Sequence, residues 1–191
     1  DSGRYASRST TMSMSRAMTT TQGLLALIAA NGGCIEQRIK MQKEAYILKW
    51  LEHPWFRPIR FKYHYYGPYS RYLSACLHNA VADGLIVEEA EEWEGGHKRY
   101  AYRLGQLPDE EAPQSLGTSY AALVGRMKEA SWRTLELSAT VLFLGAEDGL
   151  DAEDAMQRAL DLKPACRPYQ GEASELLDSL WQQKLSTVTG C

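Results

Sequence analysis

Apolar residues near the N-terminus recur at helical spacing from Thr19 onward. The apolar cluster at residues 24–28 predicts a first helix, which Asn31-Gly32-Gly33 ends as a left-handed cap would. Residues 1–18 before it are rich in Ser, Thr and Arg and carry almost no acid. We expect them to form a flexible N-terminal tail.

A second helix is predicted over residues 37–52, where Met41, Ala45 and Leu48 fall on one face. Its charged residues are expected mainly on the solvent side: Lys40, Lys43, Glu44 and Lys49. His53-Pro54 ends the helix, because proline disfavours helical backbone in the residue before it.

The apolar period then changes from helical to alternating. Phe61, Tyr63 and Tyr65 alternate with more polar neighbours and predict a short strand that Gly67-Pro68 breaks. Ser70 is a suitable N-cap for a third helix that ends at Asp83-Gly84.

Two strands are predicted next, over residues 85–93 and 98–104, joined by a tight turn with tandem glycines. Helices followed by a strand hairpin at this spacing predict a winged helix-turn-helix over residues 19–104. Residues 105–117 form a polar, proline-bearing linker, and residues 118–187 have a wholly helical pattern. The predicted fold class is therefore mainly α (α+β), a winged helix with a β-hairpin wing and a C-terminal helical subdomain.

Several segments together resemble a known family. KMQKEAYILKWL at residues 40–51, FKYHYYGPYSRYL at 61–73 and LELSATVLFL at 135–144 are similar to the YwgA-like proteins, described as winged-helix proteins of uncertain function. A weaker similarity reaches the Panacea domain, through the Lys-Met-Gln-Lys helix and the aromatic-Gly-Pro turn. That resemblance implies an antitoxin that neutralises a toxin. Neither family implies a catalytic residue.

Cysteine usage and hydropathy indicate the compartment. The four cysteines are widely scattered, without the close pairs of a zinc site or a redox dithiol. This usage is typical of a reducing cytosol, and we expect a cytoplasmic protein. The apolar stretch at residues 139–146 is too short to span a bilayer, so no membrane partner is expected.

Charge is divided unevenly along the chain. Residues 38–103 hold 11 Lys or Arg against 8 Asp or Glu, a balance of +3, whereas residues 104–191 hold 7 against 14, a balance of −7. The basic half thus coincides with the predicted winged helix, which favours DNA. The wing itself is rich in glutamate (Glu88, Glu89, Glu91, Glu92 and Glu94), and phosphate would repel it.

The leading hypothesis is a non-catalytic DNA-binding transcriptional regulator. Arg and Asn on the third helix are good readers of base edges, and tyrosines beside cations could also grip single-stranded nucleic acid. A homodimer could double a weak charge footprint. The candidate binding residues are Lys62, His64, Tyr66, Tyr69, Arg71, Tyr72, His78 and Asn79. The alternative for Phe61, Tyr63 and Tyr65 is a place in the core.

A second hypothesis is a protein-binding antitoxin-like or defence-associated adaptor. Here the wing would meet a basic partner, with Trp93 as an anchor and the glutamates steering association. The wing candidates are Glu91, Glu92, Trp93, Lys98 and Arg99.

Catalysis is not expected. The chain has no phosphate-cradling glycine loop, no Gly-x-Ser-x-Gly elbow and no His-Glu-x-x-His helix. Cys76 and His78 are two residues apart on a helix and face different directions, so they form no nucleophile-base pair. The acidic stretch at residues 147–154 fails the calcium-loop spacing. We therefore expect no metal and no cofactor.

Overall fold

A computed structural model describes residues 3–93, 97–109 and 112–189, without the side chains of residues 3–14, 16, 17, 93 and 187–189. Over these ranges the chain is a mixed α+β protein with small antiparallel sheets. The helices are α1 Gly3–Ala30, α2 Arg38–Trp50, α3 Arg71–Ala82, α4 Thr118–Glu129, α5 Trp132–Asp148, α6 Ala152–Leu162 and α7 Gln170–Thr189, with a 3-10 helix at Pro164–Tyr169. The strands are β1 Cys34–Glu36, β2 Lys62–His64, β3 Gly67–Tyr69, β4 Ile86–Trp93 and β5 His97–Leu104.

Helix α1 extends further toward the N-terminus than the apolar pattern predicts. Residues 3–18, expected as a tail, continue the helix that packs from Thr20 onward. The sequence between Gly3 and Gly23 contains neither glycine nor proline, so nothing interrupts the helical hydrogen bonding. At the other end the predicted cap is present: Gly32 has φ +78°, and the Gly33 N–H donates to Ile28 O at 2.9 Å.

The predicted β4–β5 hairpin is present and belongs to a three-stranded antiparallel sheet in the order β1-β5-β4. Strand β1, which the sequence pattern did not predict, pairs Ile35 with Tyr102 of β5. Tyr102 is fully buried, as its position on the apolar face of the hairpin requires. The turn residue Glu94 and the tandem glycines lie outside the described residues.

A second hairpin corrects one prediction. Gly67-Pro68 does not break the strand at residues 61–65; it begins the returning strand β3, which pairs Tyr63 with Pro68 and His64 with Gly67. The turn is Tyr65-Tyr66, and Tyr65 is 87% exposed. The interpretation of Tyr63 and Tyr65 as core residues is therefore wrong, since Tyr63 is 40% exposed as well, whereas Phe61 is buried as that interpretation requires.

Helix α2 is also buried more completely than predicted. Met41, Ala45 and Leu48 are buried as expected, but the side chains of Lys43 and Glu44 are buried too. The prediction that these two charges face solvent is wrong. Lys43 lies beneath the β2–β3 hairpin, where it donates to Pro68 O, and Glu44 accepts a hydrogen bond from Asn31, the residue that follows α1.

One apolar core joins the two halves of the chain. It includes Leu24 of α1, Leu48 of α2, Leu137 of α5 and Leu180 of α7. Helix α5 lies at its centre, and residues 134–144 of this helix are all buried. This places α2 and α5 side by side, and the candidate site lies at the N-terminal ends of both.

Candidate nucleic-acid interface

The β2–β3 hairpin presents tyrosines to solvent while its backbone packs against α5. Gly67 has φ +82°, and a Cβ atom at this position would lie 2.5 Å from Thr140 Oγ1 of α5. Both the left-handed backbone and this close approach require glycine. With the backbone so close to α5, the turn residues Tyr65 and Tyr66 point outward, exposed by 87% and 49%.

Two buried lysines hold the hairpin from behind. Lys43 of α2 donates from Nζ to Pro68 O at 2.7 Å, and Lys163 donates from Nζ to Tyr65 O at 2.7 Å. Lys163 also pairs with Glu136 of α5 at 2.8 Å, with side chains only 5% and 2% exposed. The hairpin is thereby fixed by charge-assisted hydrogen bonds on the inner side of its turn.

Burial shapes the charge of this cluster. Desolvation lowers the pKa of Lys43 to about 7; Glu136 partly opposes the change and Lys163 adds to it. Burial also raises the pKa of the Cys166 thiol, whose sulphur lies 3.7 Å from Glu136 Oε2. Arg133 contacts the same carboxylate oxygen at 3.3 Å. The cluster is a structural support, since it faces inward beneath the hairpin.

The start of α3 is fixed by Gln42. Its amide oxygen accepts a hydrogen bond from Ser70 N at 2.9 Å, and its amide nitrogen donates to Ser70 O at 3.1 Å and Ser74 Oγ at 2.9 Å. Ser70 caps α3 as predicted, accepting from Leu73 N. Arg71, the first residue of α3, is exposed beside this fixed turn.

Two adjoining cavities, of about 610 and 340 Å³, lie between the β2–β3 hairpin, the start of α2, the first half of β5, and Trp132. They share Arg38, Ile39 and Tyr66, and we call them together the aromatic-cationic groove. Its other lining residues are Gln37, Gln42, Lys43, His64, Gly67, Tyr69, Arg71, His97, Lys98, Arg99, Tyr100 and Trp132.

The lining is rich in cations and rings. Among the residues that the structure describes, no carboxylate lines either cavity. The Arg38 guanidinium lies 5.0 Å from the Tyr100 ring centre, and its Nε donates to Tyr102 Oη at 2.8 Å. That hydrogen bond raises the pKa of Arg38, so the cation is held in its charged form. The groove can therefore accept a planar anionic group between rings and cations.

The β4–β5 hairpin is less acidic in space than its run of glutamates in sequence implies. Its antiparallel register sets Glu91 opposite Arg99 and Glu92 opposite Lys98. Glu89 pairs with Arg103 at 2.9 Å. Glu88 pairs with Arg38 at 3.1 Å, and Glu36 of β1 pairs with Arg99. These opposed charges reduce the repulsion of phosphate that the glutamate run alone implies.

The predicted site residues divide into two groups. The groove brings together His64, Tyr66, Tyr69, Arg71, Lys98 and Arg99. The remaining predicted residues lie outside its lining: Lys62, His78, Asn79, Glu91 and Glu92 are exposed, Tyr72 is half-buried, and the Trp93 side chain lies outside the described residues.

Sequence reasoning missed Arg38, Tyr100 and Trp132 as site residues. A signal did exist for Trp132, because Trp-Arg at the first turn of a helix offers an exposed ring beside a cation. The Arg133 guanidinium does lie 3.9 Å from the Trp132 ring centre.

Metal binding and membrane insertion find no support among the described residues. No cluster of three or more His, Cys, Asp or Glu side chains there could hold a metal ion. Nor is any helix in those ranges both long and apolar enough to cross a membrane.

Comparison with known proteins places the chain beside one bacterial relative. The uncharacterised protein YwgA of Bacillus subtilis (strain 168) is 27% identical over 164 residues, which covers 82% of this chain and 92% of YwgA. No protein-family model matches the chain. The similarity confirms the predicted resemblance to YwgA-like proteins, whereas the similarity to the Panacea domain stays a prediction.

Proposed function

We propose that residues 19–104 of this chain, which is similar to YwgA over most of its length, form a winged helix that binds DNA at the aromatic-cationic groove. The protein would act as a non-catalytic transcriptional regulator. The observation that carries the proposal is the lining of that groove: cations and aromatic rings without a described carboxylate. Such a surface favours phosphates and the faces of bases.

The order of elements supports the winged helix. Helices α1, α2 and α3 precede the β4–β5 hairpin, and β1 closes the sheet beside β5. Helix α3 begins at the groove with Arg71 and continues with His78 and Asn79 exposed on its surface. Base edges would meet α3, while the backbone of the same strand would lie against the groove.

A salt titration of binding to fluorescent genomic DNA fragments tests the proposal. If Arg38, Arg71 and Lys98 neutralise about three phosphates, the slope of log K against log salt is about −3. Arg71→Ala and Arg38→Ala should each weaken binding and reduce the slope by about 1. Arg57→Ala is the matched control, since Arg57 is exposed but does not line the groove.

Two outcomes of the titration would overturn the proposal. The absence of binding at about 50 mM salt would overturn the proposal, as would equal weakening by Arg57→Ala and Arg71→Ala. Comparing duplex with single-stranded fragments decides between base-edge reading by α3 and stacking on Tyr66 and Trp132. A preference for single strands together with loss on Tyr66→Ala favours stacking.

The adaptor hypothesis draws less support from the wing than the sequence implies. Glu91 and Glu92 are exposed and accessible to a basic partner, but each already has a basic residue opposite it on β5. A partner-binding role is better supported by another surface, which lies at the C-terminal ends of α2 and α5.

A further inference from the structure

A cavity of about 870 Å³ lies at the C-terminal ends of α2 and α5, between α6 and α7. The proposed DNA interface uses Arg38 and Trp132 at the opposite ends of the same two helices. We call this cavity the acidic groove. Many of its lining residues are exposed, among them Ala146, Gln157 and Ser174, so it is an open trough rather than an enclosed pocket.

The base of the acidic groove is apolar. It is built from Tyr46, Val141, Leu142, Leu150, Leu177 and Trp181. Trp181 remains 45% exposed although it packs edge-on against Trp50 with ring centres 4.7 Å apart. One turn further along α7, Leu185 is 62% exposed, which extends the apolar surface beyond the groove. Contiguous exposed apolar surface rimmed by charge is typical of a protein-binding site.

The rim is acidic. Six carboxylates line the groove: Glu52, Glu147, Asp151, Glu153, Asp154 and Asp178. The two lysines that also line it are engaged with their own chain. Lys184 donates to Trp50 O at 2.9 Å and lies over the Trp50 ring, and Lys49 donates to Arg57 O at 2.7 Å.

Stabilisation of α6 explains why three of these six carboxylates occur here, but not the other three. Asp151 caps α6, and Glu153 and Asp154 lie in its first turn, where the helix dipole favours anions. Glu147 lies in the last turn of α5, where the dipole disfavours them, and Asp178 lies within α7. Neither appears in an ion pair among the described residues, so their negative charge is available to a ligand.

We propose that the acidic groove binds a basic amphipathic helix of a partner protein. The apolar face of that helix would cover Trp181 and Leu177, and its lysines or arginines would meet Glu147 and Asp178. Charge complementarity selects the occupant, because six carboxylates surrounding an apolar base disfavour nucleic acid and acidic segments. Helix-in-groove recognition uses this combination of an apolar stripe and flanking charge.

A defined probe tests the proposal with the full chain. An 18-residue lysine-leucine peptide with all its leucines on one helical face is compared with a scrambled peptide of equal composition. Isothermal titration at about 150 mM salt should give saturable 1:1 binding of the first peptide and at least about tenfold weaker binding of the second. Tryptophan fluorescence should change on binding, and Trp181→Phe should reduce that change.

Charge reversal on α7 supplies the matched pair of variants. Asp178→Lys should weaken peptide binding about tenfold, whereas Glu175→Lys, on the same exposed helix but outside the groove, should change it less than about twofold. Equal effects of the two reversals would overturn the proposal, because they would indicate attraction by net charge alone. Equal binding of the scrambled peptide, or no saturable binding up to about 1 mM, would overturn it as well.

Discussion

Lys163 and Glu136 form a buried ion pair, Nζ to Oε1 2.8 Å, directly beneath the tyrosine turn of the β2–β3 hairpin. The same ammonium donates to Tyr65 O. The pair joins the segment after α6 to the centre of α5 and ties both to the turn that carries Tyr66. The pair is tolerated in the core only while both charges are present, because a buried charge without its partner strongly destabilises the fold.

Removing one partner of this pair should destabilise the fold strongly. Lys163→Met leaves the buried Glu136 carboxylate with only its longer ion pair to Arg133, and we expect a loss of about 3–5 kcal/mol in the free energy of unfolding. Urea denaturation measures it. The double variant Lys163→Met with Glu136→Leu should lose less than the single variant. A single-variant effect as small as that of Arg167→Ala, which removes an exposed pair with Asp161, would contradict the buried pairing.

Gly67→Ala should be more costly than an alanine at another left-handed glycine. Gly84 has φ +74° and nothing within 4 Å of a built Cβ, so Gly84→Ala should cost only the backbone strain, about 1–2 kcal/mol. Gly67→Ala adds the clash with Thr140 Oγ1, a further 1–3 kcal/mol or so. Thr140→Ala in the Gly67→Ala background should recover part of the difference. Equal losses of stability in the two glycine variants would show that the close approach is absent.

Stability should pass through a minimum near neutral pH. Burial lowers the pKa of Lys43 from 10.5 to about 7, so above pH 7 the unfolded chain holds a proton that the folded protein has released. Stability then rises with pH above 7 by at most about 1.4 kcal/mol per unit. Burial raises the pKa of Glu44 from 4.5 to about 7, opposed by its hydrogen bond from Asn31. The folded protein therefore retains that proton, and stability falls as pH rises from 4.5 to 7.

Denaturation profiles of two variants separate these contributions. Lys43→Met should abolish the rise above pH 7, and Glu44→Gln should abolish the fall below it. If either variant keeps the profile of the parent protein, the group that it replaces is not the source of that slope.

Neutralising a wing glutamate should strengthen DNA binding. Glu92 stands opposite Lys98, which lines the aromatic-cationic groove, so Glu92→Gln should raise affinity about two- to threefold at low salt, an effect that salt screens. Fluorescence anisotropy measures the affinity. Glu175→Gln on α7 is the control, because it removes the same charge at a distant position. An equal rise in the control would indicate an effect of net charge. An unchanged affinity with Glu92→Gln would show that this hairpin does not approach the phosphates.

The positions of most helices and of the wing hairpin could be predicted from local sequence. Apolar spacing, the cap at Gly32-Gly33, the Ser70 N-cap and the alternation along β5 each depend on residues a few positions apart. Periodicity of this kind determines which segments bury one face. The exposure of Tyr66 and Arg71, on either side of Gly67-Pro68, could also be predicted.

Contacts between distant segments decided the rest. Burial of Lys43 needed the β2–β3 hairpin, and burial of Glu44 involved Asn31 at the end of α1. The opposition of Glu91 to Arg99 needed a register that the run of glutamates does not display. The two grooves are assembled from opposite ends of α2 and α5, which lie nearly a hundred residues apart in sequence. The sequence by itself determined the elements, because backbone preference and amphipathic pattern are local. Only the tertiary structure decided which charges are paired, buried or exposed, because that depends on which surfaces meet when the elements pack.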